Sequence, residues 1–209
     1  LDAVPIVALL TFLVGAVVAF VGATALREFG AEIFTVELVS ISFLREFGVL
    51  LTAILIAGRS GSAFTAQIGS MKSREELDAI QALGLDAIEL LVIPRLLALF
   101  VMLPLLTFIA MMMGIVGGGI VGTLALDITP GMFISRVQEM TGVEHFWVGM
   151  VKAPVFAFLI ATVGCLEGFK VEGSAESVGR HTTASVVQSI FLVIVFDSLF
   201  AMFFMEMDI

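Results

Sequence analysis

The stretch GRSGSAFTAQIGSMKSREELDAIQALGLDAIELLVIPR, residues 58–95, is the longest polar interval in an otherwise strongly apolar chain. The apolar runs on both sides are long enough to cross a bilayer, so this interval should lie in water at one membrane face. Within it, Ser73 and Glu76 have the spacing of a capping box. Gly84 is expected to end the resulting helix in a left-handed turn, and Asp86 repeats the start signal. The pattern predicts a short capped helix held between two membrane spans.

The composition of this short helix favours docking to another protein. Helices that lie on membrane surfaces usually carry Lys and Arg on their polar face. This helix is acidic after Arg74, so anionic headgroups would repel it. An ordinary loop helix on the membrane surface is the alternative interpretation. We predict that the residues facing a partner protein are Glu75, Glu76, Leu77, Asp78, Ile80, Leu83 and Gly84.

The composition places the chain in the membrane class. Hydrophobic residues make up 60% of the 209 positions and charged residues only 14%, with a mean hydropathy of +1.16, far from soluble globular usage. A chain of this length holds several spans but no further soluble domain of ordinary size. The net charge of −9 argues against nucleic acid as a partner, because its recognition needs clustered Lys and Arg.

Cofactor chemistry finds no support in the sequence. The single cysteine, Cys165, excludes an internal disulfide and a cysteine-built metal site, and the two histidines are far apart in the chain. The P-loop pattern is absent, so any ATP must be hydrolysed by another chain. We therefore expect no catalytic residue, no metal and no cofactor on this chain.

Five apolar runs reach the length of about 20 residues that a bilayer core requires. A polar loop between the third and fourth runs contains a short amphipathic helix, opened by Thr129 as cap and Pro130 as first residue. We predict an all-α integral membrane protein with five transmembrane helices, a short helix between the second and third, and another between the third and fourth. The five runs are residues 4–23, 38–58, 96–126, 148–166 and 184–205.

The distribution of Lys and Arg predicts the orientation of the chain. Four positive residues lie in the interval 58–95 and two in the loop 167–183, whereas the two alternate loops carry only Arg27 and Arg136. Positive residues stay on the cytoplasmic side. The short helix between the second and third spans is therefore predicted to be cytoplasmic, with the N-terminus inside, the C-terminus outside, and the helix after Thr129 on the outer face.

Several motifs in chain order resemble the permeases of the MlaE (YrbE) family. They are GRSGSAFTAQIG at 58–69, the pattern ELDAIxxLGLD at 76–86, VIPR at 92–95, and GRHTTASVVQSIFLVIVFD at 179–197. Members of this family are membrane subunits of ATP-driven lipid transporters associated with MCE-domain proteins. The resemblance covers nearly the whole chain. Two departures are Gln67, where the family often has glutamate, and Ala87, where it often has proline.

The resemblance implies a single permease domain over residues 1–209 in a bacterial-type inner membrane, with a natural N-terminal part preceding Leu1. It implies a homodimer in which each copy engages an ABC ATPase, which binds ATP and Mg²⁺, through the short cytoplasmic helix. An MCE-domain protein would bind the outer face, and some members have a small regulatory STAS-type domain or subunit. Phospholipid would occupy a cavity between the copies, and the candidates for its wall are Leu44, Phe47, Leu50, Leu51 and Ile54.

Ionisable residues inside the predicted spans form a second candidate site. Arg45 lies about 13 residues from the end of its span, hence ~20 Å deep, and Asp197 and Lys152 come out at a similar level. With Glu46 they would form one neutral layer, because each such charge is expensive in a membrane unless it is paired or hydrated. The layer would fix helix positions near the exit of the lipid path. Alternatively, Lys152 extends to the outer headgroups.

Two further patterns allow more than one interpretation. Glycines at four-residue spacing, Gly114, Gly118 and Gly122, permit close helix packing, either within the chain or between copies. The segment GRSG, with Ser60, matches the short pattern of rhomboid-type intramembrane serine proteases, which require a histidine in reach of the serine. His181 would be that partner. An ATP-independent channel or transporter is the other alternative to an ABC permease, and it would not need the short cytoplasmic helix.

Overall fold

The computed structural model describes residues 3–125 and 128–207. Within these residues every regular element is a helix, and five helical segments are long and apolar enough to cross a membrane. The predicted all-α architecture with five spans is thereby confirmed. The five spans are Val4–Arg27, Glu32–Ser73, Ile88–Ala125, Val143–Phe169 and Ala175–Glu206.

Several spans contain more than one kind of helical turn. The second span begins with a 3₁₀ turn, Glu32–Phe34, and contains two π-helical turns, Phe43–Phe47 and Ala57–Gly61, and the third span opens with another, Ile88–Val92. The α-helices are α1 (Val4–Arg27), α2 (Thr35–Ser42), α3 (Gly48–Ile56), α4 (Ser62–Ser73), α5 (Glu76–Ala82), α6 (Ile93–Ala125), α7 (Pro130–Met140), α8 (Val143–Phe169) and α9 (Ala175–Glu206).

Most helices extend beyond the apolar runs from which they were predicted. α1 continues to Arg27, and the second span continues to Ser73 through a segment expected to be a loop. α9 begins at Ala175, so His181 lies in a helix rather than in a polar loop. Hydropathy marks the part of a helix that crosses hydrocarbon, whereas the backbone hydrogen bonds continue into the polar region. The predicted end of the third span at residue 126 lies outside the described residues.

The predicted helix signals were right in two places and wrong in a third. Thr129 caps α7 by accepting a hydrogen bond from the Met132 amide at 3.3 Å, and Gly84 has the left-handed φ of +75°. The capping box is absent, because Ser73 is the last residue of α4 and its hydroxyl donates to the Gly69 carbonyl at 2.9 Å. α5 begins only at Glu76, without a side-chain cap.

The chain divides into two compact units, and the described residues of the first are 3–52, 104–125, 128–152 and 203–207. Here glycines of α6 bring the third span against the first and second. A Cβ on Gly114 would stand 2.0 Å from the Phe43 ring, and one on Gly117 would stand 2.0 Å from the Phe12 carbonyl oxygen. A Cβ on Gly118 would meet Val39 at 2.6 Å. These glycines therefore serve packing within the chain.

The second unit comprises residues 53–103 and 153–202. Its second and fourth spans also meet at small residues: the Thr65 hydroxyl donates to the Gly164 carbonyl at 2.8 Å. A Cβ on Gly164 would stand 2.8 Å from the Gly61 carbonyl oxygen. Ile68, fully buried, lies one turn further along the second span. α5 packs against this close-packed pair of helices.

Candidate functional site

The apolar side of α5 is packed onto the core of the second unit. Leu77 is 5% exposed and belongs to one buried cluster with Ile68, Ala87 and Cys165. Ile80 is half-buried against the same cluster. Since this cluster includes residues of the second and fourth spans, α5 is attached to two membrane spans at once. Leu77 is therefore an anchor of the helix within its own chain rather than part of its outer face.

The outer side of α5 and the turn after it carries acidic and apolar groups together. Glu75, Glu76 and Asp78 are exposed, and Leu83 is 76% exposed. Gly84 follows in the left-handed turn with open space around it. The structure thus divides the predicted docking residues into an anchoring pair, Leu77 and Ile80, and an exposed group that contains the remaining five residues.

The connection between α4 and α5 is a strained turn. Glu75 is the single non-glycine residue with positive φ (+61°) in the part of the chain that the structure describes. For a residue with a Cβ this conformation is uncommon. On the same turn, the Lys72 ammonium group donates to the Phe169 carbonyl at the end of α8. The start of α5 is therefore held both by its own backbone and by the fourth span.

A second polar cluster at this end of the unit joins α8 to α9. Glu167 is 2% exposed, and its two carboxylate oxygens contact the Lys170 ammonium and His181 Nδ1, each at 2.7 Å. A buried carboxylate needs such partners to offset the loss of its hydration. The sequence analysis does not predict this cluster, because Glu167 and His181 both lie in the interval 167–183, whose polar composition indicates a solvated loop. Their fourteen-residue separation gave no signal.

A third contact joins the second span to the start of the third. The Arg95 guanidinium donates to the Gln67 side-chain oxygen at 3.3 Å and to the Leu91 carbonyl at 3.0 Å. It also stands over the Phe64 ring, 5.7 Å from the ring centre. Gln67 therefore accepts a hydrogen bond from Arg95 through its uncharged side-chain amide, and it does not neutralise the arginine.

In the first unit, three of the four residues of the predicted polar layer lie together. Lys152 is fully buried, its ammonium group contacts a Glu46 carboxylate oxygen, and it donates to the Arg45 carbonyl at 3.3 Å. The Arg45 guanidinium lies 3.8 Å from the other Glu46 oxygen. The Lys152 ammonium group is thus enclosed by protein and paired within the chain, which does not support the alternative in which it extends to the outer headgroups. Asp197 is half-buried in α9, and its membership of the layer stays a prediction.

The five residues predicted to form the cavity wall do not share one environment. Leu44 is 7% exposed. Phe47 and Leu51 pack on a core cluster of the first unit that contains Ala19. Leu44 is therefore buried within the chain, and Phe47 and Leu51 are partly covered by this cluster. Leu50 and Ile54 keep partial exposure and follow each other at four-residue spacing on α3.

Ser60 and His181, the two residues that the serine protease alternative requires, do not form a hydrogen-bonded pair in the part of the chain that the structure describes. His181 Nδ1 is engaged by Glu167, and across residues 3–125 and 128–207 no hydrogen bond connects Ser60 to His181. The same residues contain no cluster of three or more His, Cys, Asp or Glu side chains that could hold a metal ion. The polar groups that the structure brings together instead fix helices to one another. The fold and these sites define a multi-pass helical membrane protein with a surface helix seated between two spans.

Comparison with known proteins gives the family. The family model described as Permease MlaE matches residues 1–203, and the chain belongs to this family. A probable ABC transporter permease protein of Rickettsia bellii is 34% identical over 97% of this chain and 78% of its own length. One from Synechocystis is 39% identical, over 81% and 65% respectively. The intermembrane phospholipid transport system permease protein MlaE of Haemophilus influenzae is 32% identical, over 88% and 71%. The chain is a permease subunit of the ABC transporter class.

Proposed function

We propose that this chain is the membrane subunit of an ATP-driven transporter that moves phospholipid, or a similar amphipathic lipid, between the inner membrane and an MCE-domain partner. The carrying observation is α5, whose apolar side is fixed by Leu77 to the second and fourth spans and whose acidic side faces outward. The printed name of the Haemophilus influenzae relative, an intermembrane phospholipid transport system permease, supports the choice of cargo.

In this proposal α5 is a coupling helix that receives motion from a separate ATPase chain. A displacement of α5 would pass through Leu77 to Ile68 on the second span and Cys165 on the fourth, because close-packed interiors transmit strain. ATP binding would close the ATPases, the coupling helices would move, and the lipid cavity would be squeezed. This chain supplies binding and conduction and performs no bond chemistry.

The lipid cavity would lie between two copies of the chain. Leu50 and Ile54 are the strongest candidates for its wall, because they are partly exposed in the single chain and, unlike Phe47 and Leu51, do not pack on the cluster that contains Ala19. The paired charges of Arg45, Glu46 and Lys152 would hold the helices near the lipid exit on the outer face, where the MCE-domain protein binds. A small STAS-type subunit would complete the assembly on the cytoplasmic side.

The test is co-purification of the permease from native membranes, with identification of the associated proteins and lipids by mass spectrometry. An ATPase, an MCE-domain protein and phospholipid are the expected companions. Reversing the exposed charges with Glu75→Lys and Asp78→Lys should release the ATPase, because both positions face outward on or beside α5. The matched control is Glu176→Lys, an exposed acidic position in the first turn of α9, and it should retain the ATPase.

The same experiment separates this function from a free-standing channel or transporter. A permease that purifies without any ATPase, in mild as well as harsh detergent, would overturn the proposal. Loss of the ATPase in the Glu176→Lys control as well would show that general surface charge, rather than α5, holds the partner.

A further inference from the structure

A shallow pocket of about 410 Å³ in the second unit lies beside the start of the coupling helix, and of the residues predicted to dock the ATPase it is lined only by Glu76. Its wall combines the end of the second span, the first turn of α5 and the start of the third span. Two guanidinium groups, a hydroxyl and a side-chain amide line it. The lining residues are Ala66, Gln67, Ser70, Met71, Arg74, Glu76 and Arg95.

Arg95 supplies a fixed positive charge to this pocket. Its partners are the Gln67 amide oxygen, the Leu91 carbonyl and the Phe64 ring, all of which are neutral. These contacts orient the guanidinium plane, but they do not neutralise it. Guanidinium groups held in this way present paired N–H donors that fit the oxygens of a phosphate.

Arg74 and Glu76 contribute opposite charges at the pocket edge. Arg74 Nη1 lies 3.9 Å from a Glu76 carboxylate oxygen, and both side chains are largely exposed, so the attraction between them is weak and screened. With two arginines and one glutamate, the formal charge of the lining is +1. The lining is therefore net positive, in contrast to the acidic outer side of α5, and it also contains the Ser70 hydroxyl as a hydrogen-bond donor.

The position of the pocket along the chain indicates which anion reaches it. It is built where the second span ends at Ser73 and within the first two turns of the third span, which begins at Ile88. Charged side chains at span ends lie at the level of the lipid headgroups, and basic residues there attract anionic lipids. The phosphate groups of the surrounding lipids should therefore lie at the same level as the pocket.

We propose that this pocket binds the phosphate of an anionic phospholipid headgroup beside the coupling helix. A free phosphate ion shares the same chemistry, and the test below separates the two sources. The site is distinct from the cavity proposed for the transported lipid. It would couple the position of α5 to the lipid composition of the membrane, because Glu76 belongs both to the pocket lining and to α5.

The experiment is a lipid titration of the purified full-length permease by native mass spectrometry, with phosphatidylglycerol as the added lipid. Gln67→Glu keeps the shape of the side chain and places a carboxylate 3.3 Å from Arg95, so it should weaken phosphatidylglycerol binding by up to about fivefold. Arg95→Gln should weaken it at least as much. Arg180→Gln, which removes an exposed arginine elsewhere in the same unit, is the matched control and should bind like the unaltered protein.

A second arm adds inorganic phosphate alone. If phosphate binds with the same dependence on Gln67 and Arg95 while phosphatidylglycerol binding is the same in all variants, the lipid assignment is overturned in favour of a free anion. If neither ligand distinguishes the variants, there is no anion site in this pocket. Since the readout needs no ATPase and no transport, its failure is separate from failure of the proposed function.

Discussion

The backbone at residue 75 shows how a single conformation positions the coupling helix. Glu75 adopts φ +61° between the end of α4 and the start of α5, which costs a residue with a Cβ roughly 1–2 kcal/mol. The cost persists because Leu77 and Lys72 fix both sides of the turn. The turn therefore sets the direction in which α5 leaves the second span.

This conformation gives a prediction about substitutions at residue 75. Glu75→Gly should be tolerated, since glycine adopts positive φ freely. Glu75→Val should lower the free energy of unfolding by about 1–2 kcal/mol relative to Glu75→Gly, because a β-branched residue is strongly disfavoured there. Thermal unfolding in detergent would measure the difference. Gln81→Val, exposed on the same helix with ordinary helical backbone, is the control and should show less than half of that loss.

The buried ion pair in the first unit gives a second prediction at the residue scale. Glu46→Gln and Lys152→Met should each destabilise the protein, because each removes a charge from a contact in which Lys152 is fully buried. The double variant should lose about 1–3 kcal/mol less than the sum of the two single losses, as expected for groups in direct contact. The measurement is a double-mutant cycle: the free energy of unfolding in detergent is determined for the unaltered protein, the two single variants and the double variant. If the two single losses simply add in the double variant, the pair is not coupled.

At the scale of elements, the glycines of α6 determine how closely the spans approach. Gly114→Ala should lower the free energy of unfolding by about 1–3 kcal/mol, because its Cβ would stand 2.0 Å from the buried Phe43 ring. Gly179→Ala in α9 is the matched control: nothing lies within 4 Å of its Cβ, so a small gain is expected from helix propensity. Equal behaviour of the two variants in thermal unfolding would contradict this packing.

The elements also show what the sequence could and could not predict. The five spans were predicted because bilayer thickness imposes a long apolar run on each. Helix ends were missed, because serines such as Ser73 can either cap a helix or bond back to the preceding turn, and the sequence does not distinguish these two uses. Thr129 was identified correctly because Pro130 fixes the first turn. Burial of Lys152 and the pairing of Glu167 depend on contacts between distant segments, which periodicity does not encode.

At the scale of the whole molecule, charge distribution predicts how the chain lies across the membrane. The loops that carry α5 and the start of α9 hold most of the Lys and Arg residues, so they should be cytoplasmic, and α7 should be on the outer face. Asp78 on α5 and Glu139 on α7 are both exposed, and the native Cys165 is 2% exposed. A cysteine at either exposed position should therefore be far more reactive than the native one, which allows the orientation to be measured.

In intact cells, a membrane-impermeant maleimide should label Glu139→Cys and leave Asp78→Cys unlabelled. After permeabilisation both variants should react, which controls for accessibility, and the protein with Cys165 alone should stay unlabelled throughout. We expect this pattern because the charge distribution predicts that α5 is cytoplasmic and α7 is on the outer face, where it alone would meet the reagent. The reverse pattern would place the coupling helix outside, where no cytoplasmic ATPase could reach it, and the proposed coupling mechanism would then be wrong even though the fold is unchanged.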